Sequence, residues 1–254
     1  MGMGMEQALP QPRPTARPKA GFRPSFHLVM VLVMCAFVFG GFGMTYLGPM
    51  AMGTRPPDPP IVHLHGLAFF SWMLLLLAQT VLVNMRNVRL HRSVGTFGVA
   101  VGTFVVVMGV FITIAGASIT NLAGSGPSVF FLSVFAPPSF AILFVMAIRA
   151  VRMPRVHRSL ILMATIAVLM PAINRVYMAG IGLKRVPFVE TYLTMDVLLV
   201  AVLWNEWREG GAVSRASWIG AAVVFVPQLL NYPVSHTQGW NDFIYWLGSF
   251  ATYQ

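Results

Sequence analysis

The stretch that decides the fold is residues 93–148, which read SVGTFGVAVGTFVVVMGVFITIAGASITNLAGSGPSVFFLSVFAPPSFAILFVMAI. It contains no Asp, Glu, Lys, Arg or His. A water-soluble protein needs charged groups on its surface, whereas a bilayer is crossed by about 20 apolar residues in a helix. The stretch therefore predicts two membrane crossings, joined by the uncharged Gly/Ser/Asn-rich turn at residues 117–127.

The rest of the chain has the same character. Of its 254 residues, 57% are hydrophobic and only 9% are charged. The apolar segments are continuous and do not alternate with polar residues, which excludes a membrane barrel. We predict an all-α polytopic membrane protein, a bundle of about seven transmembrane helices with the N-terminus inside and the C-terminus outside. The predicted helices are residues 26–49, 63–85, 93–116, 128–150, 159–181, 188–206 and 215–233.

The orientation rests on the distribution of positive charge. The net charge is +10, and thirteen of the 17 Lys and Arg residues lie in the N-terminal tail and in every second loop. Cytoplasmic loops of membrane proteins carry such an excess, and these side chains also contact anionic lipid. The charge therefore does not indicate a nucleic-acid partner. The partner it predicts is the lipid bilayer, and the location is a bacterial cytoplasmic (inner) membrane that the chain crosses several times.

Three regions follow from composition. Residues 1–25 are rich in Pro, Gly and Arg and predict a disordered basic cytoplasmic tail. Residues 26–236 form the seven-helix bundle. Residues 237–254 are aromatic with few charges, which is typical of a segment lying in the membrane interface. The single cysteine, Cys35, excludes an intramolecular disulfide.

Polar side chains concentrate towards the outer ends of the predicted helices. A lone arginine in lipid costs several kcal/mol unless it is paired or hydrated. We therefore expect Arg175 to face the bundle interior and to pair with Asp196 or Glu190. The polar residues at similar depth are His63, His65, Arg175, Glu190, Asp196 and His236.

The functional interpretation of this set is a metal, haem or quinone site that faces outwards, because neutral imidazole is a common metal and haem ligand. On a regular helix, His63 and His65 point about 160° apart. If the helix begins only at Gly66, both lie on extended chain and can chelate one ion together, with His236, Asp196 or Glu190 completing the site. The alternative is structural: both histidines cap the helix, and the arginine pair is static.

A second set of histidines lies near the inner starts of helices, in the repeated motifs His91-Arg92 and His157-Arg158. One interpretation makes His91 and His157 axial ligands of a b-type haem. The alternative, which we favour, makes the arginines topological anchors and lets the histidines cap helices, because haem ligands in bundles usually lie deeper.

Prolines and glycines predict where helices bend and approach. Pro137, Pro171 and Pro227 should each kink a helix, which membranes tolerate when a polar side chain satisfies the freed carbonyl. Gly98 and Gly102 form a small-residue pair that allows close helix packing.

The segments HLHGLAFFSWMLLLLAQ and LHRSVGTFG resemble a loosely defined group of uncharacterised bacterial inner-membrane proteins. These share a His-x-His-Gly entry, a Trp and a Gln in the same helix, and a later His-Arg-x-x-Gly. The chain is also faintly similar to haem-handling proteins of oxidase biogenesis. The resemblance implies a multi-span bundle that bears histidines. The matching residues here are His63, His65, Gly66, Trp72, Gln79, His91, Arg92 and Gly95.

These observations lead to one leading hypothesis and two alternatives. The leading hypothesis is a redox-associated membrane protein, linked to electron transport, that binds a b-type haem or a transition metal in the outer half of the bundle. The first alternative is a non-catalytic accessory or assembly subunit of a larger respiratory or photosynthetic membrane complex. The second is a small transporter, for which the proline-broken helices are the main argument.

Overall fold

A computed structural model describes residues 23–120 and 122–251. Of these residues 81% are helical, and none lies in a β-strand. The all-α prediction is therefore confirmed. The helices are α1 Phe26–Ala51, α2 Pro60–Asn84, α3 Val88–Ala117, α4 Gly126–Arg149, α5 Pro154–Ala167, α6 Met170–Gly180, α7 Phe188–Gly210, α8 Arg215–Ser235 and α9 Gln238–Gly248.

Six of these helices, α1 to α4 with α7 and α8, are long and apolar enough to cross a membrane. The pair α5 and α6, bent by 50°, passes the same test when it is taken as one span. The six to seven spans agree with the predicted bundle of about seven helices. The predicted tail at residues 1–25 lies outside the described residues except for its last three.

The bend in the seventh span lies beside Pro171. Proline has no backbone N–H and its ring clashes with the preceding turn, so a regular helix cannot continue through it. The chain ends α5 at Ala167 and begins α6 at Met170, which places Pro171 in the first turn of α6. Proline is tolerated there because the first-turn N–H groups have no partner within the helix.

Two other prolines are accommodated inside α4 and α8. Pro137 frees the carbonyl of Ser133, and the hydroxyl of Thr113 on α3 lies 2.9 Å from that oxygen. Pro227 frees the carbonyl of Val223, and the hydroxyl of Ser139 on α4 lies 3.4 Å from it. At both positions a hydroxyl of a neighbouring helix therefore lies within hydrogen-bond distance of the freed carbonyl, and the Thr113 hydroxyl is shared with the Gly109 carbonyl of its own helix at 2.8 Å.

Helices α4 and α5 form the centre of the bundle. Helix α4 contacts α3, α5, α8 and α9, whereas α5 contacts α1, α4, α7 and α8. Close approach of α3 and α4 depends on Gly102, since a Cβ there would lie only 2.4 Å from the ring of Phe144. This confirms the predicted packing role of Gly102, because no larger residue leaves space for that ring.

The C-terminal aromatic segment forms the short helix α9. It packs against α3, α4 and α8, and the indole N–H of Trp240 donates to the carbonyl of Pro127 at 3.1 Å. The predicted surface segment at residues 237–254 is thus an amphipathic helix, and residues 252–254 lie outside the described residues.

A tight connection joins α7 to α8 at the inner end. Gly211 ends α7 with a φ of +72°, a conformation that glycine adopts without strain. The carboxylate of Glu206, which is fully buried, accepts from the backbone N–H of Ser214 at 3.0 Å and from the hydroxyl of Ser217 at 2.5 Å. We call Glu206, Gly211, Ser214 and Ser217 the α7–α8 junction.

Candidate functional site

A large cavity occupies the half of the bundle that the charge pattern predicts to be outside. Its volume is about 860 Å³, within the range of roughly 300–1,000 Å³ that is usual for cofactor sites. We call it the outer cavity. Helices α1 to α6 supply its walls, with the loops at Arg55 and Val186 at the outer end. Its aromatic lining consists of Phe42, Phe69, Phe70, Trp72 and Phe130.

Two hydrogen-bonded side chains from different helices close the inner end of the outer cavity. The indole N–H of Trp72 on α2 donates to the hydroxyl of Thr165 on α5 at 3.1 Å. The Trp72 ring packs edge-on against Phe140 and Phe144. Trp72 lies about 18 Å along α2 from its first residue, so the cavity reaches from the outer surface to about the middle of the membrane.

Three basic residues line the outer cavity: Arg55, His65 and Arg175. No Asp or Glu lines it among the described residues. The charges of Arg55 and Arg175 act on each other, and that of Arg175 acts on His65, so the three lie close together. The cavity is therefore an apolar chamber with positive charge, which suits an amphipathic ligand with an anionic end.

His65 presents an unpaired ring nitrogen. Its Nδ1 is buried and has no hydrogen-bond partner within the described part of the chain. The ring lies beside the carbonyl of Met108 on α3 and packs against Phe69, with 4.3 Å between the ring centroids and 40° between the ring planes. A buried polar atom without a partner is rare and costs about 1–3 kcal/mol. A ligand that bonds to Nδ1 would offset that cost.

The two histidines of the His-x-His-Gly motif do not act together. Helix α2 begins at Pro60, so His63 and His65 lie on regular helix and point in different directions. His63 is exposed, and its Nδ1 lies 2.5 Å from the hydroxyl of Tyr46. Joint chelation by His63 and His65 is therefore wrong. The reason is that prolines 59 and 60 start the helix before the motif.

The predicted metal ligands His63, His65 and His236 do not converge. The ring of His236 stacks on Tyr232, and its Nδ1 lies 2.8 Å from the Tyr232 carbonyl at the end of α8. Among the described residues, no three His, Cys, Asp or Glu side chains come together to hold an ion. The three-histidine metal set is therefore wrong, because these residues lie on differently directed surfaces.

The pairing expected of Arg175 is also wrong. Glu190 pairs with Arg185 of the preceding loop. The carboxyl of Asp196 lies beside the amide of Gln228, and its Oδ1 has no other partner among the described residues. Arg175 donates to the Pro171 carbonyl at 2.9 Å and stacks 4.2 Å above the Phe42 ring. Among the described residues, the Arg175 guanidinium thus has no acidic partner, and the carbonyl of Pro171 is its hydrogen-bond acceptor.

The inner histidines lie in contacts between helices. Nδ1 of His157 lies 2.8 Å from the Ala147 carbonyl, which ties the start of α5 to the end of α4. Arg158 pairs with Glu209 of α7 at 2.9 Å, so it is engaged by the protein itself. His91 lies beside the backbone of Gln79, and its Nδ1 is buried without a partner in the described chain. This arrangement supports the structural interpretation of His157 and Arg158.

The mouth of the outer cavity is fixed by a pair outside the membrane-spanning helices. Arg55 pairs with Asp58, donates to the Thr45 carbonyl at 3.0 Å and lies over the Tyr46 ring. The hydrogen bond from Arg55 holds the pKa of the Asp58 carboxyl below its usual value. The proline-rich loop RPPDPP at residues 55–60 therefore positions an arginine at the entrance.

Three residues of this site were not predicted from the sequence. Arg55, Thr113 and Asn174 all line the outer cavity. The signal for Thr113 was present in the sequence. A proline inside α4 frees a carbonyl, and a hydroxyl on a neighbouring helix is the usual partner for it.

Comparison of the chain with protein-family models, with curated proteins and with solved structures gives no match.

Proposed function

We propose that the protein binds a b-type haem in the outer cavity and takes part in electron transport in a bacterial cytoplasmic membrane. The observation that carries the proposal is the unpaired Nδ1 of His65, buried in the wall of an apolar cavity that also holds two arginines. A protein imidazole is a common axial ligand of haem iron. The bound haem would supply one-electron redox chemistry.

The residues of the cavity fit this group better than they fit a bare metal ion. A bare ion such as zinc needs three or four protein ligands, and no such group forms among the described residues. Haem needs one or two ligands from the protein, because its macrocycle binds the iron. The aromatic walls suit a flat apolar ring, and Arg175 at the outer end suits a carboxylate, whereas Arg55 is already paired with Asp58.

Each residue then has a distinct task. His65 would hold the iron, and the nearby Met108 carbonyl would orient the imidazole ring. Arg175, which has no acidic partner among the described residues, would neutralise one carboxylate. Trp72 and Thr165 would close the inner end of the cavity and keep water from entering the lower bundle.

The test is an optical spectrum of the full chain purified in detergent after expression with a haem precursor. We expect a Soret band and one haem per chain. His65→Ala should reduce the haem content at least tenfold, whereas the matched variant His63→Ala should retain it, because His63 faces away from the cavity. A wild-type chain that neither carries haem nor shifts the spectrum of added hemin would refute the proposal.

A further inference from the structure

A second, smaller cavity lies against the outer cavity on its α8 side. Its volume is about 50 Å³. One water needs roughly 10–15 Å³ measured in this way, so about three to five waters fit. The two cavities share the lining residues Ser133, Ala136, Met170 and Pro171. These four residues therefore form a wall that the two cavities share.

The small cavity is polar enough to hold water. The side chains of Ser133, Ser139 and Gln228 line it, which satisfies the requirement of two to four polar partners for a buried water. Ser133 lies on the shared wall, and its hydroxyl, which donates to the Val129 carbonyl of its own helix at 3.3 Å, can still accept a hydrogen bond from water. Water in the small cavity can therefore connect to the outer cavity through Ser133.

Behind Gln228 lies an acid in the middle of the membrane. Asp196 is nine residues into α7 and thus about 12 Å from its outer end. Its Oδ1 is buried and unpartnered in the described chain, and the Gln228 amide lies beside its carboxyl. Carboxyl groups in transmembrane helices commonly mark proton relays. An uncompensated carboxylate in an apolar interior is costly, and such a group binds a proton instead.

The surroundings of Asp196 contain no opposing charge. Among the described residues, no charged side chain of α5, α6 or α8 acts on it. The titratable groups that face this part of α7 are two tyrosines. Tyr177 of α6 bonds Thr194 at 2.9 Å, and Tyr192 of α7 itself bonds Asn231 at 2.5 Å. Both hydroxyls are thus engaged elsewhere.

We infer that Asp196 is a proton-exchanging carboxyl, connected to the outer surface by Gln228, the small cavity, Ser133 and the outer cavity. A proton leaves the Asp196 carboxylic acid for water beside Gln228, and water returns a proton to the carboxylate by the same route. No electron is transferred in this step. The inference uses the outer cavity but does not require haem to be bound there.

Infrared spectroscopy of the full-length chain in detergent tests the route. A protonated Asp196 gives a carboxylic C=O band that Asp196→Asn removes and that Glu206→Gln leaves in place. On transfer to D₂O the band should shift quickly. Ala136→Phe fills the shared wall and should slow the shift at least tenfold, whereas Ala141→Phe, on the same helix but lining neither cavity, should not.

Ser133→Ala provides a second, milder variant, which should slow the shift several-fold by removing the bridging hydroxyl. A band that Asp196→Asn does not remove would overturn the inference. Equal exchange rates in the Ala136→Phe and Ala141→Phe variants, or in Ser133→Ala and wild type, would also overturn it. Because no haem is added, the absence of a Soret band would refute only the proposed function and leave this result standing.

Discussion

The outer cavity and the α7–α8 junction differ in whether their buried polar groups have partners. At the junction, the fully buried carboxylate of Glu206 is bonded to the Ser214 N–H and to the Ser217 hydroxyl. In and beside the outer cavity, Nδ1 of His65 and Oδ1 of Asp196 have no partner in the described chain, and Arg175 has no acidic partner there.

Buried polar groups with partners and buried polar groups without partners have different roles in a membrane protein. A satisfied buried group fixes the geometry of its helices, and its removal costs stability. An unsatisfied group lowers stability, and it is retained where function needs it. The junction therefore holds the bundle together, whereas the outer cavity has the features of a site for a ligand.

The largest expected effect is at the junction. Glu206→Ala leaves the N–H of Ser214 and the hydroxyl of Ser217 buried without their acceptor. We expect it to lower the free energy of unfolding by about 3 kcal/mol, since hydrogen bonds to charged groups contribute roughly 1.5–3 kcal/mol. Denaturation of the detergent-solubilised protein measures this. Glu209→Ala, which breaks an exposed pair with Arg158, should cost less than about 1 kcal/mol.

Glu206→Ala should leave the binding of haem in the outer cavity unchanged. If Glu206→Ala lost haem while its stability was unchanged, the division between a structural junction and a binding cavity would be wrong.

The second-largest expected effect is on haem binding in the outer cavity. Arg175→Met should weaken haem binding about tenfold, which is about 1.4 kcal/mol, because it removes the cation that meets a carboxylate. Its stability without ligand should be unchanged or higher, since a cation without an acidic partner is costly in the membrane. Titration with hemin and thermal unfolding measure the two quantities.

Arg185→Met is the matched control, because Arg185 lies at the same end but pairs with Glu190. It should leave the affinity for hemin unchanged. Equal losses in both variants would mean that general positive charge, rather than Arg175, attracts the ligand.

A smaller effect concerns the wall of the outer cavity. Thr113→Val removes the hydroxyl that satisfies the Ser133 carbonyl freed by Pro137. We expect a loss of about 1 kcal/mol in the free energy of unfolding. Thr103→Val is the control on the same helix, since the exposed Thr103 bonds only to Val99 within α3. Similar losses in both variants would show that the freed carbonyl does not matter.

The smallest effect is the pH dependence at the cavity mouth. Because the folded pKa of Asp58 lies below its unfolded value, the stability it contributes is present above the unfolded pKa of about 3.9 and is lost as pH falls through the folded pKa. Asp58→Asn should remove this dependence. Thermal unfolding of both proteins between pH 3 and pH 6 measures it, and parallel curves would contradict the prediction.

Local sequence features predicted much of the bundle. The bend at Pro171 and the satisfied carbonyls at Pro137 and Pro227 follow from proline chemistry, which depends only on neighbouring residues. The close approach at Gly102 follows from the absence of a side chain. The predicted pairing of Arg175 with Asp196 or Glu190 was wrong. Glu190 instead forms an ion pair with Arg185, which lies five residues before it in the chain.

The sequence by itself determined the membrane-spanning all-α fold, a count of about seven spans and the bend beside Pro171, because hydropathy and proline act locally along the chain. Only the tertiary structure decided which polar residues share a space. Whether His65 or His63 faces the cavity depends on where α2 begins and on the rotation of that helix about its axis. The start of α2 follows locally from Pro59 and Pro60, whereas its rotation is set by packing against α1 and α3, which no local pattern records.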